Sequence, residues 1–189
     1  MEFIRGYAIT VWSLLDPVYY MVTRLTYLDR KEGASECIFR VRLTRYKGRT
    51  IVLSDGTQIK KNDVLVKIHL HNVRILKDIY NIENDFQKVI YLYKKIQSSL
   101  PYVAEYLETH HQHDRIKGII GITLLNKGCR KLGFEPHSIH NRWYKLFKLS
   151  ALLPISLLTR SGNKRLFNKE PQYLMMSKNQ LCQRYKLNK

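Results

Sequence analysis

The chain has 189 residues, of which 44% are hydrophobic, so it is long enough for one domain with a buried core and too apolar for general disorder. Its 33 Lys and Arg against 15 Asp and Glu give a net charge of +18, concentrated between Arg115 and Lys189, where 16 Lys and Arg meet only two acids. A charge of that sign favours an anionic polymer, an anionic lipid surface or nucleic acid as the partner, and disfavours a cationic one.

The three cysteines, Cys37, Cys129 and Cys182, are too few and too widely spaced for a disulfide framework, and no CxxC motif is present. This pattern indicates a reducing compartment. Charged residues interrupt the apolar N-terminal run, which is therefore not typical of a cleavable signal. No uncharged stretch reaches the roughly 18 to 20 residues that a spanning helix needs. We expect a cytoplasmic protein, with peripheral association at the inner face of the membrane as the alternative.

The first 30 residues predict a helical hairpin. Apolar residues recur at helical spacing from Phe3 to Leu15, and Asp16-Pro17 is typical of an N-cap followed by proline at the start of a second helix, which would end at about Leu28. Aromatic residues are frequent here. They favour packing of the hairpin on a sheet, and the alternative is a membrane-surface anchor with Trp and Tyr at the level of the lipid headgroups.

Residues 38–71 predict a three-stranded meander. Its strands are expected at Ile38 to Thr44, Thr50 to Leu53 and Val64 to His71, and Asp55-Gly56 predicts a type I′ hairpin turn. Alternation in the last strand places four apolar residues on one side and three polar ones on the other. The apolar residues are Val64, Val66, Ile68 and Leu70, and the polar ones are Lys67, His69 and His71.

The remainder, residues 80–189, predicts mixed helices and strands with a basic C-terminal region. One buried helical stripe is formed by Phe86, Val89, Ile90, Tyr93, Ile96 and Leu100. Pro101 should break or kink this helix before a second segment to Thr109. The later elements are a central strand from Ile116 to Leu125, a short helix from Asn126 with Gly133 after its end, a basic helix from Ile139 to Leu158, a strand from Tyr173 to Met176, and a helix from a Ser177 cap to Tyr185. The order predicts a single α+β domain over 1–189, with a mostly antiparallel sheet and helices packed on one side.

Three sequence blocks resemble one family. They are LDPVYYMVTRLTYL from Leu15 to Leu28, FRVRLTRYKGRTIVLSDGTQIKKNDVLVKIHLHN from Phe39 to Asn72, and GIIGITLLNKGCRKLGFE from Gly118 to Glu135. In this order they are similar to the YkoP-like proteins of Bacillus and its relatives, a domain that also resembles segments appended to some polysaccharide deacetylases. The resemblance implies one domain over most of the chain and a role near cell-envelope polysaccharide. The chain has no deacetylase motif of its own, since no His-x-x-x-His pair with a matching Asp occurs.

The polar residues of the meander predict an anion-binding site. If the first and last strands are neighbours, Arg40, Arg42, Lys67, His69 and His71 share one exposed face. The planar guanidinium group of arginine binds phosphate or carboxylate with two hydrogen bonds. The alternative is a helix-covered face on which these arginines pair with Asp or Glu.

Histidines raise two further hypotheses, a metal site and a catalytic site. His69 and His71, with a third ligand from His110, His113 or Asp114, would suit a divalent metal. The neighbouring arginines would repel a cation, so neither a metal nor another cofactor is predicted. For catalysis, Cys129 near the start of a helix would be the nucleophile and His69 or His137 the base, or His69 would act with the cluster from His110 to Asp114. Burial as a small hydrophobic residue is the simpler interpretation of Cys129.

The segment from Arg142 to Lys148 interleaves cations with aromatic residues, as single-strand nucleic-acid binders do. The spacing of Trp143, Leu146 and Phe147 also fits a buried helical stripe. Taken together, the sequence predicts an accessory or binding protein for an anionic partner, either a cell-envelope glycopolymer or an anionic membrane surface. A small hydrolase or transferase and a nucleic-acid-binding protein are the alternatives.

Overall fold

Eight strands and three α-helices carry the fold in the part of the chain that the computed structural model describes, residues 25–28, 37–125, 128–146, 148 and 167–185. The strands are β1 Thr26–Tyr27, β2 Phe39–Arg45, β3 Ile51–Val52, β4 Gln58–Ile59, β5 Val64–Leu70, β6 Ile116–Leu125, β7 Glu135–Ser138 and β8 Phe167–Ser177. The helices are α1 Asn72–Ile79, α2 Asp85–Thr109 and α3 Lys178–Tyr185, with a 3-10 turn at His113–Arg115, and residues 142–146 are also helical. The predicted N-terminal hairpin lies outside the described residues, except for residues 26–27, which form a strand and not the end of a helix.

The main sheet has six strands in the order β1-β2-β5-β6-β8-β7. Only the β5–β6 pair is parallel, so the predicted α+β fold with a mostly antiparallel sheet is confirmed. The predicted meander supplies two neighbouring strands of this sheet, β2 and β5. Its middle part, β3 and β4, forms a separate hairpin, whose Leu53 and Ile59 pack against Leu65 and Met175 on one face of the main sheet. Burial of these apolar side chains explains why the hairpin folds over the sheet instead of extending it.

The Asp55-Gly56 hairpin turn differs in type from the prediction. Gly56 has a φ of 81°, whereas the non-glycine residue with positive φ among those described is Asn62, so Asp55 has ordinary φ. The amide of Gly56 donates to the carbonyl of Leu53, and the amide of Leu53 donates to the carbonyl of Thr57. This is the three-residue hairpin loop in which a type I turn is followed by a left-handed glycine, rather than the two-residue type I′ loop.

Helix α2 covers the opposite face of the sheet. Its C-terminal half buries Leu100, Val103, Ala104 and Leu107 against a core that includes Val41, Val66, Ile68, Ile119 and Met176. The helix runs through Pro101 without ending there, contrary to a break at this residue. A proline inside a helix costs about 3 kcal/mol, and the fully buried side chains on both sides of Pro101 offset that cost.

The N-terminal half of α2 is more exposed than its spacing predicts. Leu100 is fully buried, but Phe86 and Ile90 are 72% and 37% exposed, so the predicted stripe is buried only towards its end. Periodicity identifies the apolar side of a helix but not the length over which another element covers it.

The C-terminal elements close the far edge of the sheet. Strand β8 contains the predicted strand from Tyr173 to Met176, and the Ser177 hydroxyl caps α3 by accepting from the amide of Gln180 at 3.0 Å. Both predictions are confirmed. Strand β7 was not predicted, because Glu-Pro-His-Ser shows no apolar alternation, and Pro136 is compatible with it because β7 is an edge strand.

Candidate functional site

The cationic residues of β2 and β5 lie side by side on the face of the sheet that is opposite α2. In the antiparallel register Arg40 is opposite His69, and Arg42 is opposite Lys67. Directly opposed residues project from the same face, and His71 follows two residues after His69 on that face. Lys148, from the helical segment after β7, also acts electrostatically on Lys67 and His69. We call this set the cationic face: Arg40, Arg42, Lys67, His69, His71 and Lys148.

The cationic face is more enclosed than the sequence indicates. Arg40 and Lys67 are only 2% and 8% exposed, whereas Arg42, His69 and Lys148 are partly buried. The prediction of an exposed face is therefore wrong. The hairpin β3–β4 packs next to these residues, on Leu65 of β5, and Lys148 belongs to a second segment whose charge acts on Lys67 and His69. The sequences of β2 and β5 alone do not show which other segments of the chain lie beside them.

Arg40 and His71 form the anchored end of the cationic face. The guanidinium carbon of Arg40 lies 4.9 Å from the ring centre of Tyr27, and an Arg40 terminal nitrogen is 2.6 Å from His71 Nε2. Arginine only donates, so His71 Nε2 is the acceptor. His71 directly precedes α1, so its contact with Arg40 reaches the start of that helix. These contacts give Arg40 and His71 a structural function in joining β1, β2 and α1.

Lys67 and His69 are the two residues of the cationic face whose pKa values are lowered most by their surroundings. Burial, and then the charges of Lys148 and Arg42, lower the pKa of Lys67 to about 8. Burial and the same surrounding cations, with Arg40 and Lys67 among them, lower the pKa of His69 to about 3, so its imidazole is neutral near pH 7. Burial and Arg42 also lower the pKa of Lys148. Among the described residues, no carboxylate forms an ion pair with Lys67.

Two hydrogen-bond clusters fix the β3–β4 hairpin on the sheet. Glu135 accepts from the Ser54 amide at 2.9 Å and from the Ser54 hydroxyl at 2.7 Å. On the other side of the turn, the Ser177 hydroxyl donates to Asp55, whose carboxylate also accepts from the Thr57 amide. Burial raises the pKa of the Asp55 carboxyl, but these hydrogen bonds outweigh it, and the net pKa is lowered. The hairpin is thus held to β7 and β8 by polar contacts as well as by its apolar side chains.

His137 lies beside this cluster on β7. Its Nε2 is buried and 3.9 Å from Glu135. Burial lowers the pKa of His137, although Glu135 acts in the opposite direction. No contact joins His137 to Cys129 among the described residues, so the structure does not assemble this predicted base with its nucleophile.

The other catalytic and metal candidates lie apart from the cationic face. Cys129 is buried in the core on the α2 side of the sheet, whereas His69 projects from the other side, and burial raises the pKa of the Cys129 thiol. Cys129 follows Gly128 in a turn rather than starting a described helix. Its burial and raised pKa do not provide the exposed thiolate that a nucleophile requires.

The histidine cluster is at the opposite end of the strands. His110 and His111 stack at 4.2 Å beyond α2, and His113 contacts Asp114 at 3.0 Å just before β6 begins. Strand β6 starts beside Val64, five residues before His69, which corresponds to roughly 17 Å along β5. Within the described ranges, no three His, Cys, Asp or Glu side chains are arranged to hold a metal ion. Next to this cluster is an open cleft of about 610 Å³ that mixes Asp63 and Asp114 with lysines.

The predicted nucleic-acid segment presents exposed apolar groups. Trp143 and Leu146 are 84% and 58% exposed, so they do not form the buried stripe that their spacing allows. Lys145 pairs with Glu170, and the Lys148 ammonium lies 5.5 Å from the ring centre of Tyr144. No helix in the described portions combines the length and apolar character needed to cross a membrane.

The fold and the cationic face define the class of protein: an α+β domain whose mixed sheet is covered by a helix on one face and carries enclosed cations on the other. The chain belongs to the YkoP domain family, whose sequence model matches residues 5–185. It is similar to the Uncharacterized protein YkoP of Bacillus subtilis (strain 168), with 41% identity over 177 residues, covering 94% of this chain and 95% of that protein. No solved structure matches the chain. The family predicted from the three sequence blocks is therefore confirmed.

Proposed function

We propose that this protein is an accessory protein that binds an anionic ligand, with a phosphate or carboxylate group of the ligand on the cationic face. The observation that supports this proposal is the position of Lys67, which is buried opposite Arg42, is repelled by the charges of Lys148 and Arg42, and has no ion pair with a described carboxylate. These like charges repel each other, and an anion that contacted them would replace part of this repulsion with attraction.

Because the cationic face is largely buried, we expect it to bind a single charged group of a ligand rather than a flat charged surface. Arg42 and Lys148 are partly exposed, whereas Lys67 is buried. A phosphate or carboxylate that projects from a flexible glycopolymer would fit this arrangement. The resemblance to segments appended to polysaccharide deacetylases is the reason for choosing a cell-envelope glycopolymer. In this proposal the protein acts in the cytoplasm, where the precursors of such polymers are made.

The proposal is tested by measuring urea unfolding in sodium phosphate and in sodium chloride of equal ionic strength. A ligand that binds only the folded state stabilises it by about 2.7 kcal/mol at 100 times its dissociation constant. We expect phosphate to stabilise the wild type beyond chloride, and Arg42→Gln to abolish the difference. The matched control is Arg45→Gln, since Arg45 is on the same strand but exposed and outside the cationic face. Equal effects of phosphate and chloride on the wild type would refute the proposal.

An anionic membrane surface is a second candidate partner, favoured by a different observation. Trp143 and Leu146 project into solvent from one helical turn, next to the exposed cation Arg142. Exposed Trp and Leu beside a cation are typical of peripheral membrane contacts. We expect co-sedimentation with phosphatidylglycerol vesicles but not with phosphatidylcholine vesicles, and a loss in Trp143→Ala. Phe86→Ala, which removes an aromatic group that is also largely exposed from α2, should bind normally. Unchanged binding by Trp143→Ala would exclude this surface.

A further inference from the structure

The open cleft of about 610 Å³ lies at the end of the sheet where β6 begins. Sites for small molecules have volumes of about 300 to 1,000 Å³. Four parts of the chain form the cleft: the end of the β3–β4 hairpin, the loop before β5, the start of β6 with the 3-10 turn, and the start of α3. Apart from Ile116, the lining residues have charged, amide or hydroxyl side chains. The cleft is therefore suited to a polar ligand.

Charged side chains of both signs line this cleft. The cations are Lys60, Lys117 and Lys178, and the acids are Asp63 and Asp114. Within the described part of the chain, none of these lysines forms an ion pair with either acid. The charges of the cleft therefore do not neutralise each other in pairs. A ligand that carries one group of each sign can form charge-assisted hydrogen bonds with both sets.

Hydrogen bonds to the backbone hold two of these charged side chains in place. The Lys178 ammonium donates to the carbonyl of His113 at 2.6 Å. The Asp63 carboxylate accepts from the amide of Lys60 at 2.7 Å. An ammonium group has three donors and a carboxylate has two acceptor oxygens, so both side chains can still bind a ligand. Because they are already ordered, binding loses less side-chain entropy than it would with free surface chains.

We propose that this cleft binds a small ligand that carries an ammonium group together with a phosphate or carboxylate group. Lys117 and Lys178 bind the acidic group, and Asp63 binds the ammonium group. The acids of the cleft repel a simple anion, so inorganic phosphate binds here much more weakly than a ligand with both groups. The cleft is separate from the cationic face, because β6 begins beside Val64, three residues and roughly 10 Å before Lys67.

Glucosamine 6-phosphate is a suitable probe because it carries an ammonium and a phosphate on one small sugar. Its affinity is measured by isothermal titration calorimetry at pH 7 and compared with that of glucose 6-phosphate, which lacks the ammonium group. The protein is the full chain with Arg42→Gln, so that binding at the cationic face does not contribute. We expect at least tenfold tighter binding of glucosamine 6-phosphate. Glutamate and glutarate, which differ in the same way, provide the equivalent test for a carboxylate ligand.

Two substitutions in the cleft and one matched control are added to the Arg42→Gln chain. Lys117→Gln should weaken binding of glucosamine 6-phosphate at least tenfold. Asp63→Asn keeps an oxygen for the amide of Lys60 but removes the charge, so it should abolish the preference for the ammonium compound. The control is Lys61→Gln, since Lys61 is exposed in the same loop but is not among the residues that line the cleft, and it should bind normally. Circular dichroism verifies that each variant is folded.

The outcomes distinguish this inference from the proposed function. The inference would be overturned if neither ammonium compound bound more tightly than its counterpart without the ammonium group. Equal weakening by Lys61→Gln and Lys117→Gln would also overturn it, because it would indicate attraction by the overall positive charge. If the wild type bound the probe and Arg42→Gln did not, the probe would lie on the cationic face, so the inference would fail and the proposed function would stand. A preference retained in Arg42→Gln, without any effect of phosphate on the wild type, would support the cleft and refute the proposed function.

Discussion

Replacing Lys67 with methionine should raise the free energy of unfolding, although most substitutions of buried residues lower it. Methionine keeps an unbranched apolar side chain in the space of the lysine stem and carries no charge. Burial and the charges of Lys148 and Arg42 lower the pKa of Lys67 from its ordinary 10.5 to about 8. At about 1.4 kcal/mol per pH unit, this corresponds to about 3 kcal/mol by which the folded state disfavours the charged amine.

The gain from Lys67→Met should depend on pH in a defined direction. Below about pH 8, Lys67 is charged in both the folded and the unfolded state, so the wild type has the full cost. Between about pH 8 and 10.5 the unfolded state binds more protons than the folded state, so the stability of the wild type rises relative to the variant. The difference should therefore be about 3 kcal/mol at pH 7 and about 1 kcal/mol at pH 9.5.

Urea unfolding followed by circular dichroism at the two pH values measures this difference. The matched control is Lys117→Met, because Lys117 lies on β6 but is exposed, and its replacement should change stability by less than about 0.5 kcal/mol. Equal or lower stability of Lys67→Met at pH 7 would contradict the reasoning. It would mean that the ammonium group has a stabilising anionic partner within the chain, and the proposed ligand site would lose its support.

Three further tests by urea unfolding concern separate parts of the structure. Burial and nearby cations lower the pKa of His69 from 6.5 to about 3, so the wild type should lose stability as the pH falls from 6.5 towards 3, and His69→Gln should lose less. Gly118→Ala should cost about 3 kcal/mol and Gly121→Ala about 1 kcal/mol, because the added Cβ would lie 2.3 Å from a backbone carbonyl oxygen in the first and 3.3 Å from a side-chain carbon in the second. Glu135→Ala should cost about 1 to 2 kcal/mol, because two hydrogen bonds to the hairpin are lost, whereas Glu170→Ala removes one exposed ion pair and should cost less than about 0.5 kcal/mol. A larger loss of stability in Gly121→Ala than in Gly118→Ala, or in Glu170→Ala than in Glu135→Ala, would contradict the corresponding explanation. So would a loss of stability at low pH that is the same in His69→Gln as in the wild type.

The sequence predicts the grouping of the cationic face because that grouping depends on local periodicity. Lys67, His69 and His71 alternate with core residues, so their common side follows from the geometry of one strand. The pairing of β2 with β5 follows once the region between them is recognised as a separate hairpin that is not part of the main sheet. For the same reason the strand from Ile116 to Leu125 and the Ser177 cap are found from sequence.

The sequence does not predict what covers that face. Lys148 is separated from Lys67 by 81 positions, and only the tertiary fold brings the two charges together. The same limit applies to Pro101, where the local preference for a helix break is outweighed by packing of the flanking residues. Glu135 is a further example, because its two hydrogen bonds to Ser54 join β7 to a turn that is 81 positions away in the sequence.

The two ends of the cationic face therefore have different explanations. Arg40 and His71 contact each other, and Arg40 also contacts Tyr27, so this end joins three elements of the fold. Among the described residues no ion pair joins Lys67 to another element, and burial and the neighbouring cations disfavour its charged form. An anion bound there would return the pKa of Lys67 towards its ordinary value, so binding near pH 8 would be accompanied by proton uptake. Affinity should then fall as the pH rises through 8, a dependence that phosphate binding at an ordinary surface lysine would show only near pH 10.5.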